Sequence, residues 1–316
     1  IGLPLGLNMY ELLPFWHTFF TELGFEVITS PIYDKTIFQK GQNTIPSDTV
    51  CYPAKMMHGH IKWLLAQGIT SIFYPCMTYN VDEDTAQNCY NCPVVAYYPE
   101  VLAANIEELK NIHFFYDYLG LLNQKLLAKE LYKMLNPVYT DLSSAEIKNA
   151  LTPAFKAYRD FEARVKEQGK KITEEALNKN MPVIILAGRP YHTDPKINHG
   201  IDRLITGLGA ALISEDSVSG NIDRKDLNKD LEVLNQWTYH SRMYAAAKFA
   251  AQTPAMNLVQ LVSFGCGCDA ITADECRRIL EESGKIYTQI KIDDIENLGA
   301  ARIRLRSLFA ALGFEC

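Results

Sequence analysis

The length, composition and charge of the chain exclude several classes of protein. With 316 residues, of which 48% are hydrophobic, the chain is long enough for two domains with buried cores. Its net charge of -6 and its scattered Lys and Arg residues give no basic surface for nucleic acid. The sequence has no apolar run long enough to cross a membrane and no signal peptide at its start. We therefore predict a cytoplasmic protein that binds neither nucleic acid nor membrane.

In the first half of the chain, apolar runs alternate with helical patterns. The runs that predict strands cover residues 1–5, 25–29, 69–74, 93–97 and 113–118. The patterns that predict helices cover residues 8–23 and 51–66, and a further helix begins at Pro99. Pro14 lies inside the first helical pattern, so that helix must start late or bend. This alternation predicts a parallel, doubly wound sheet.

The second half repeats the alternation after a polar, helical stretch at residues 119–179. The predicted strands cover residues 182–187, 210–214, 258–262 and 287–292. The predicted helices cover residues 201–208, 231–251 and 273–283, and another helix closes the chain. We therefore expect two α/β lobes with parallel sheets, residues 1–135 and 181–316, joined by a helical connection at residues 136–180. The chain begins at Ile1 without a methionine, so we expect it to be a domain of a longer polypeptide.

Four of the eight cysteines lie at the mouth of a predicted strand or at the start of a predicted helix: Cys51, Cys76, Cys92 and Cys266. Doubly wound sheets bind ligands in the crevice beyond their strand ends. In a reducing cytosol, metal binding or redox chemistry is the usual reason for thiols at such positions. Iron–sulfur clusters are held by soft thiolate ligands of this kind. The spacing leaves two interpretations open, an iron–sulfur site and buried, inert thiols. Cys276, by contrast, lies within a helical pattern and is expected to be a packed residue.

Three polar residues of the second half are further candidate site residues. Arg189 and His192 follow the predicted strand 182–187, and His199 lies just beyond them. This placement favours contact with a ligand, with packing as the alternative. His58 and His60 are two residues apart on a predicted helix and do not share a face, so no joint metal site is expected.

The remaining motifs narrow the chemistry further. His240 lies in the middle of a predicted helix beside Trp237, where a structural role is expected. The sequence contains no Gly-x-Gly-x-x-Gly, phosphate loop or nucleophile elbow. It therefore gives no support to nucleotide hydrolysis or serine-type catalysis.

Several sequence stretches together resemble a known family. They are Gly-Leu-Asn-Met-Tyr-Glu-Leu-Leu-Pro-Phe-Trp from Gly6, Pro-Ser-Asp-Thr-Val-Cys-Tyr-Pro-Ala-Lys from Pro46, Asn-Cys-Pro-Val-Val from Asn91, Gly-Arg-Pro-Tyr-His from Gly188, Ser-Phe-Gly-Cys-Gly from Ser263, and Gly-Ala-Ala-Arg-Ile-Arg-Leu-Arg-Ser-Leu from Gly299. The chain resembles the acyl-CoA dehydratase activase-related family, a domain of unknown function often fused after ATPase activator modules. That family is similar in turn to the subunits of 2-hydroxyacyl-CoA dehydratases, benzoyl-CoA reductases and double-cubane cluster proteins.

The resemblance implies two flavodoxin-like lobes that hold an iron–sulfur cluster on cysteines in the cleft between them. Carried over residue by residue, it supports Cys51, Cys76 and Cys266 as ligands, with Cys92 as the fourth candidate. A 4Fe–4S cluster is the expected cofactor, and a double-cubane cluster is the alternative. Cys89 and Cys268 fit the family pattern less well, although Cys268 is not excluded as a ligand.

The resemblance also implies a partner and two functions. An ATPase activator domain, fused or separate, would deliver one low-potential electron to the cluster. With three thiolate ligands the chain would be a reductase or a dehydratase-like enzyme acting on a small molecule or an acyl-CoA. Arg189, His192 and His199 would then hold the substrate or supply protons. With four thiolate ligands the chain would be a non-enzymatic electron relay or scaffold for the activator. Because the related subunits work as pairs, a homodimer is the expected assembly.

Overall fold

The structure is a computed structural model that describes residues 1–32, 36–293 and 297–314, so Cys316 lies outside the described residues. The chain divides into two units. Unit 1 comprises residues 1–81 and 89–161, and unit 2 comprises residues 82–88 and 162–316. Residues 82–88 therefore belong to unit 2 although unit 1 flanks them on both sides.

Unit 1 contains short, parallel strands in two sheets. The strands are β1 Gly2–Leu3, β2 Ile28–Thr29, β3 Ser71–Phe73, β4 Cys76–Tyr79, β5 His113–Phe115 and β6 Tyr118–Gly120. The main sheet has the order β2-β1-β3-β5, and β4 pairs with β6 in a separate two-stranded sheet. In chain order, the strands of the main sheet are therefore arranged second, first, third, fourth.

The helices of unit 1 are α1 Asn8–Glu11, α2 Leu13–Glu22, α3 Ile37–Gly41, α4 Tyr52–Ala66, α5 Pro93–Asn105 and α6 Gln124–Leu135. The predicted helix 8–23 is two helices separated at Leu12, and Pro14 lies in the first turn of α2, where it needs no hydrogen-bond partner. The predicted strand 93–97 is wrong, because Pro93 begins a helix that Cys92 caps. The helix predicted to begin at Pro99 is the continuation of α5.

Aromatic side chains fill the core of unit 1. Phe15, Trp16, Phe19, Phe20 and Phe73 are fully buried. Their rings meet mostly edge to face, with Phe15 and Trp16 centroids 4.7 Å apart and those of Phe20 and Phe73 4.8 Å apart. Helix α2 is thereby fixed on β3, because edge-to-face pairs add to the free energy gained by burying the rings.

A long helix, α7 Ser144–Asn178, lies within the stretch predicted to be helical. Its first part belongs to unit 1 and its residues from 162 onward belong to unit 2. Within unit 2, it packs closely on the segment that follows the second strand of the sheet. A Cβ at Gly169 would lie 2.5 Å from the Ser217 Cβ, so only glycine fits at this point.

Unit 2 has one parallel sheet, made of β7 Val183–Ala187, β8 Ala211–Ser214, β9 Met256–Val262 and β10 Thr288–Lys291. Its order is β10-β9-β7-β8. Read from the β8 edge, the strands are again second, first, third and fourth in chain order. Every residue of β7 and β9 is buried, as expected for central strands of a sheet covered on both faces. The two polar side chains of β9 are Asn257 and Gln260, and Gln260 accepts a hydrogen bond from the Tyr287 hydroxyl at 2.9 Å.

The helices of unit 2 after α7 are α8 Ile201–Gly207, α9 Arg224–Asp230, α10 Thr238–Gln252, α11 Gly267–Glu282 and α12 Gly299–Ala311. The predicted helix 231–251 begins later than expected, at Thr238. Its predicted start follows a separate helix, α9, which is capped by Asp223. The predicted helix 273–283 begins earlier, directly after Cys266.

The prediction of an α/β fold with parallel sheets is confirmed, and the strand orders fit a flavodoxin-like fold. In the described part of the chain, no helix combines the length and the apolar character needed to cross a membrane.

Candidate functional site

Both main sheets have a point where chain order reverses between neighbouring strands, and α/β sheets bind ligands beyond the carboxyl ends of the strands at such points. In unit 1 the point lies between β1 and β3, and in unit 2 it lies between β7 and β9. We refer to these places as the unit 1 crevice and the unit 2 crevice. Cys76 follows β3 closely, and in unit 2 Arg189 follows β7 and Cys266 follows β9. The two crevices thus carry residues that the sequence singles out.

The unit 2 crevice is built around the Arg189 guanidinium. Its Nη2 donates to Asp269 Oδ1 at 2.7 Å and to Cys266 Sγ at 3.0 Å, and its Nη1 donates to Asp269 Oδ2 at 3.3 Å. Arg189 and Asp269 are each only 3% exposed. Asp269 Oδ2 also accepts the backbone N–H of Ser263 at 2.8 Å. The loop after β9 and the loop after β7 are therefore joined by a buried ion pair.

Two buried histidines complete this cluster. His192 accepts the backbone N–H of Arg189 on Nδ1 at 3.2 Å, and His240 Nε2 lies 3.3 Å from Arg189 Nη2. Burial, followed by the positive charge of Arg189, lowers the pKa of both imidazoles well below the ordinary histidine value. Both rings are neutral at pH 7, and they surround the guanidinium without adding charge. His240, expected to be structural, belongs to this cluster together with Asp269.

Cys266 is the residue before α11 and occupies the N-cap position of that helix. A hydrogen bond from Cys268, together with the nearby charge of Arg189, outweighs burial and lowers the pKa of Cys266 to about 6. The positive end of a helix is a further setting that favours a thiolate. Cys266 is half-buried and is negatively charged at neutral pH.

The structure places His199 in a different setting. Its Nε2 lies 3.0 Å from the Asp293 carbonyl oxygen and 3.3 Å from that of Ile292. Its φ angle of 55° is in the left-handed region that most residues avoid. His199 thus links the loop after β7 to the end of β10, whereas Arg189 and His192 contact each other.

In the unit 1 crevice, three cysteines act electrostatically on one buried tyrosine, Tyr74. Cys51 precedes α4, Cys92 precedes α5 and Cys76 begins β4. The pKa of Tyr74 is raised well above its ordinary value by burial first, and then by the charges of Tyr98, Cys76, Cys92 and Cys51. All three thiols therefore lie within electrostatic range of the Tyr74 hydroxyl. That hydroxyl is buried and has no hydrogen-bond partner.

The charged groups that act on Cys76 are the carboxylates of Glu100 and Asp117, whereas Arg189 acts on Cys266. Burial raises the pKa of Cys76 to about 12, against a smaller effect of a backbone hydrogen bond from Glu100. The Cys92 Sγ accepts the backbone N–H of Val95 at 3.5 Å. Cys76 is therefore a neutral thiol at pH 7, in contrast to Cys266.

A chain of hydrogen bonds in unit 1 runs from Thr44 through His58 of α4 to Tyr98 of α5. The Thr44 hydroxyl donates to the Gly41 carbonyl at 2.7 Å, so it accepts from His58 Nδ1 at 2.8 Å. His58 Nε2 is then left to accept from the Tyr98 hydroxyl at 3.0 Å. Burial lowers the pKa of His58 to about 4, which keeps the ring neutral and this arrangement intact.

His60 faces another way and contacts the ends of the first two strands. Its Nδ1 lies 2.8 Å from the Ser30 hydroxyl, which accepts the backbone N–H of Leu5 at 2.8 Å. His58 and His60 therefore do not point to a common ligand, as their spacing indicates.

None of the seven cysteines in the described part of the chain is in a disulfide. Across residues 1–32, 36–293 and 297–314, no three His, Cys, Asp or Glu side chains lie close enough to share one metal ion. Any role of the cysteines in an iron–sulfur site stays a prediction.

Comparison with known proteins identifies the family. The family model described as the CoA enzyme activase uncharacterised domain matches residues 1–218. The matched region contains Cys51, Cys76, Cys92 and Arg189 and ends before Cys266. Among curated proteins no sequence matches the chain. Because the family model covers more than half of the 316 residues, the chain belongs to the CoA enzyme activase uncharacterised domain family (DUF2229).

Proposed function

We propose that this chain is an iron–sulfur protein of low-potential electron transfer or reduction, served by an ATPase activator. The observation that carries the proposal is that Cys51, Cys76 and Cys92 all lie within electrostatic range of the buried side chain of Tyr74. The three residues come from three separate elements, so only the tertiary fold of unit 1 brings them near this side chain.

The chemistry of these donors fits an iron–sulfur cluster. Thiolates are the usual ligands of such clusters, and each iron of a 4Fe–4S cluster takes its own cysteine. Thiols that serve different iron atoms need not approach one shared metal ion. The Tyr74 hydroxyl, which lacks a partner, could donate to a sulfur atom placed among the three thiols.

The surroundings of the three cysteines determine which of them must lose a proton to bind a cluster. Helices α4 and α5 direct their amino ends toward the residues Cys51 and Cys92, which favours the thiolate form of both. Because burial keeps Cys76 protonated, its proton must leave when it becomes a ligand. A bound cluster would supply one-electron transfer at low potential.

The unit 2 crevice would contribute substrate-binding or proton-donating residues and one further candidate ligand, Cys266. The sequence predicts that Arg189, His192 and His199 hold a substrate or supply protons. Since Arg189 is already paired with Asp269, its first role is to hold the Cys266 loop in place. Cys266 remains a proposed ligand, to be tested with the thiols of unit 1.

A second function, a non-enzymatic electron relay or scaffold, is favoured by the family match. The matching model is described as a CoA enzyme activase domain, which points to an activator as the partner. An open iron would favour the enzyme, and spectroscopic shifts on addition of small ligands to the reduced protein would reveal it. Four cysteine ligands without such shifts would favour the relay.

The test is an anaerobic purification in which iron and acid-labile sulfide are quantified. The parent is compared with the single variants Cys51→Ala, Cys76→Ala, Cys92→Ala, Cys266→Ala and Cys268→Ala. We expect iron in the parent and loss of most of it in the first three variants. The result for Cys266→Ala decides whether that residue is a ligand.

Cys89→Ala is the matched control, because Cys89 lies three residues before Cys92 and is buried to the same extent, at 6% against 8% exposure. It should retain the iron of the parent. Circular dichroism of every variant separates loss of a ligand from loss of folding. A colourless, iron-free parent, or full retention of iron in all variants, would overturn the proposal.

A further inference from the structure

Two cysteines lie at the start of α11: Cys266 directly precedes the helix and Cys268 is in its first turn, separated only by Gly267. Their side chains are hydrogen-bonded to each other. Both are half-buried and neither is in a disulfide, whereas Cys276, on the same helix, is fully buried. The pair is thus in contact within the protein and within reach of solvent.

We propose that Cys266 and Cys268 form a thiol–disulfide exchange centre that reacts with small, accessible disulfides. A disulfide forms without large backbone movement only where two thiols already approach each other, and this pair does. Gly267, between them, lies in open space, because a Cβ there would meet no atom within 4 Å.

The surroundings assign different roles to the two sulfurs. Cys266 Sγ accepts a hydrogen bond from Arg189 Nη2 at 3.0 Å, and Arg189 is itself fixed by Asp269. A guanidinium in this position stabilises the sulfur both as an attacking thiolate and as a leaving group. Cys268, in the first turn of α11, is the partner thiol that resolves the intermediate.

The exchange has two steps that balance. First, the Cys266 thiolate attacks one sulfur of the small disulfide, forms a mixed disulfide and releases one small thiolate. Second, the Cys268 sulfur attacks Cys266 Sγ, the mixed disulfide breaks, and a second small thiolate leaves while the Cys268 proton passes to solvent. The two protein thiols are oxidised by two electrons, and the small disulfide is reduced to two thiols.

The loop offers an open approach to this pair. Phe264, two residues before Cys266, is 81% exposed, and its backbone N–H is held by the Asp293 carboxylate at 2.9 and 3.0 Å. Lys291 Nζ lies 4.9 Å from the centre of the Phe264 ring. These contacts fix the backbone beside Cys266.

The experiment treats iron-free, chelator-treated full-length chain with glutathione disulfide and maps the products by mass spectrometry. Folding after chelation is checked by circular dichroism. Trypsin leaves Cys266, Cys268 and Cys276 on one peptide, since no Lys or Arg separates them. A second digestion before Asp269 isolates a peptide that holds only Cys266 and Cys268.

We expect this peptide to lose two hydrogen atoms and to regain them with a reducing thiol. Cys268→Ser should instead accumulate the glutathione adduct at Cys266, and Cys266→Ser should lose most of the reaction. Cys276→Ala, the control on the same helix, should behave as the parent. The proposal is overturned if the parent peptide stays reduced, or if the parent keeps a stable glutathione adduct at Cys266. The proposed iron–sulfur function stands or falls separately, on the iron content of the unit 1 variants.

Discussion

The unit 1 and unit 2 crevices lie at the same point of two sheets with the same strand order, yet they place cysteines in opposite environments. Cys76 is buried near two carboxylates, and its pKa is raised to about 12. Cys266 lies beside Arg189 and accepts from Cys268, and its pKa is lowered to about 6. Strand order fixes where a cysteine is presented, and the neighbouring side chains decide its charge.

The largest predicted difference between the crevices is the reactivity of these two thiols. At pH 7 Cys266 is mainly thiolate and Cys76 almost entirely thiol, so iodoacetamide should label Cys266 at least about a hundredfold faster, even though a low-pKa thiolate is the weaker nucleophile. Labelling of Cys266 should rise with pH around pH 6 and then level off, whereas Cys76 should stay unlabelled until strongly alkaline pH. Peptide mapping of the iron-free protein measures both.

Cys276 provides the control for this labelling experiment, because burial raises the pKa of that thiol as well. It should be as slow as Cys76. Equal labelling rates for Cys266 and Cys76 would show that the two crevices do not differ in charge.

A second prediction concerns the ion pair found only in the unit 2 crevice. Arg189→Met leaves the buried Asp269 carboxylate without its partner and should lower the free energy of unfolding by about 3–5 kcal/mol. Urea denaturation measures the loss. Lys170→Met removes an exposed pair with Glu174 at 3.9 Å and should cost less than about 0.5 kcal/mol.

The double variant Arg189→Met/Asp269→Asn sharpens this result, since it also removes the unpaired charge. It should recover part of the stability lost in the single variant. An Arg189→Met protein as stable as the Lys170→Met protein would contradict the assigned role of the pair.

The third prediction concerns the close packing of α3 on α4 in unit 1. In Gly59→Ala the new Cβ would lie 1.8 Å from the Ile37 carbonyl oxygen, so α3 and α4 must move apart. We expect a destabilisation of about 2–3 kcal/mol in urea denaturation. Gly207→Ala, at the last residue of α8, places its Cβ where no atom lies within 4 Å and should change the free energy of unfolding by less than about 0.5 kcal/mol. Similar effects of the two changes would show that α3 and α4 are not in close contact.

The smallest expected effect belongs to the Tyr74 hydroxyl. Since this group is buried without a partner, Tyr74→Phe should leave the iron-free protein as stable as the parent or up to about 1 kcal/mol more stable. Tyr139→Phe is the comparison, because the Tyr139 hydroxyl donates to Ser71 Oγ at 2.6 Å, and it should lose about 1 kcal/mol. A larger loss in Tyr74→Phe, again by urea denaturation, would mean that its hydroxyl has a partner.

The sequence predicts the elements whose patterns are local. The apolar run at β7 and the alternation of strands and helices indicate a parallel α/β fold without any knowledge of contacts. The same local reasoning fails at residues 93–97, where Pro93-Val94-Val95 has the composition of a strand. Tertiary context and the cap provided by Cys92 make it a helix.

The sites are less accessible to sequence reasoning, because their contacts join distant residues. Arg189 and Asp269 are 80 residues apart and meet only because β7 and β9 are neighbours in the sheet. His240 was expected to be structural, since nothing in its own helix indicates the guanidinium beside it. Tyr74 precedes Pro75-Cys76, and only the fold reveals that its hydroxyl is left unpaired.

Residues 82–88 belong to unit 2 but lie in sequence between two segments of unit 1. Neither unit can therefore be expressed alone by a single cut in the chain. Glu83 pairs with the buried Arg242 through two hydrogen bonds, one of them 2.8 Å long at Arg242 Nε, and Gln87 donates its backbone N–H to the Asn235 carbonyl at 2.8 Å. A fragment that begins at residue 162 would therefore carry Arg242 without its carboxylate, and a fragment that ends at residue 161 would carry an unsupported loop. Expression of either unit alone needs a redesigned connection: a short linker in place of 82–88 for unit 1, and a grafted copy of 82–88 for unit 2.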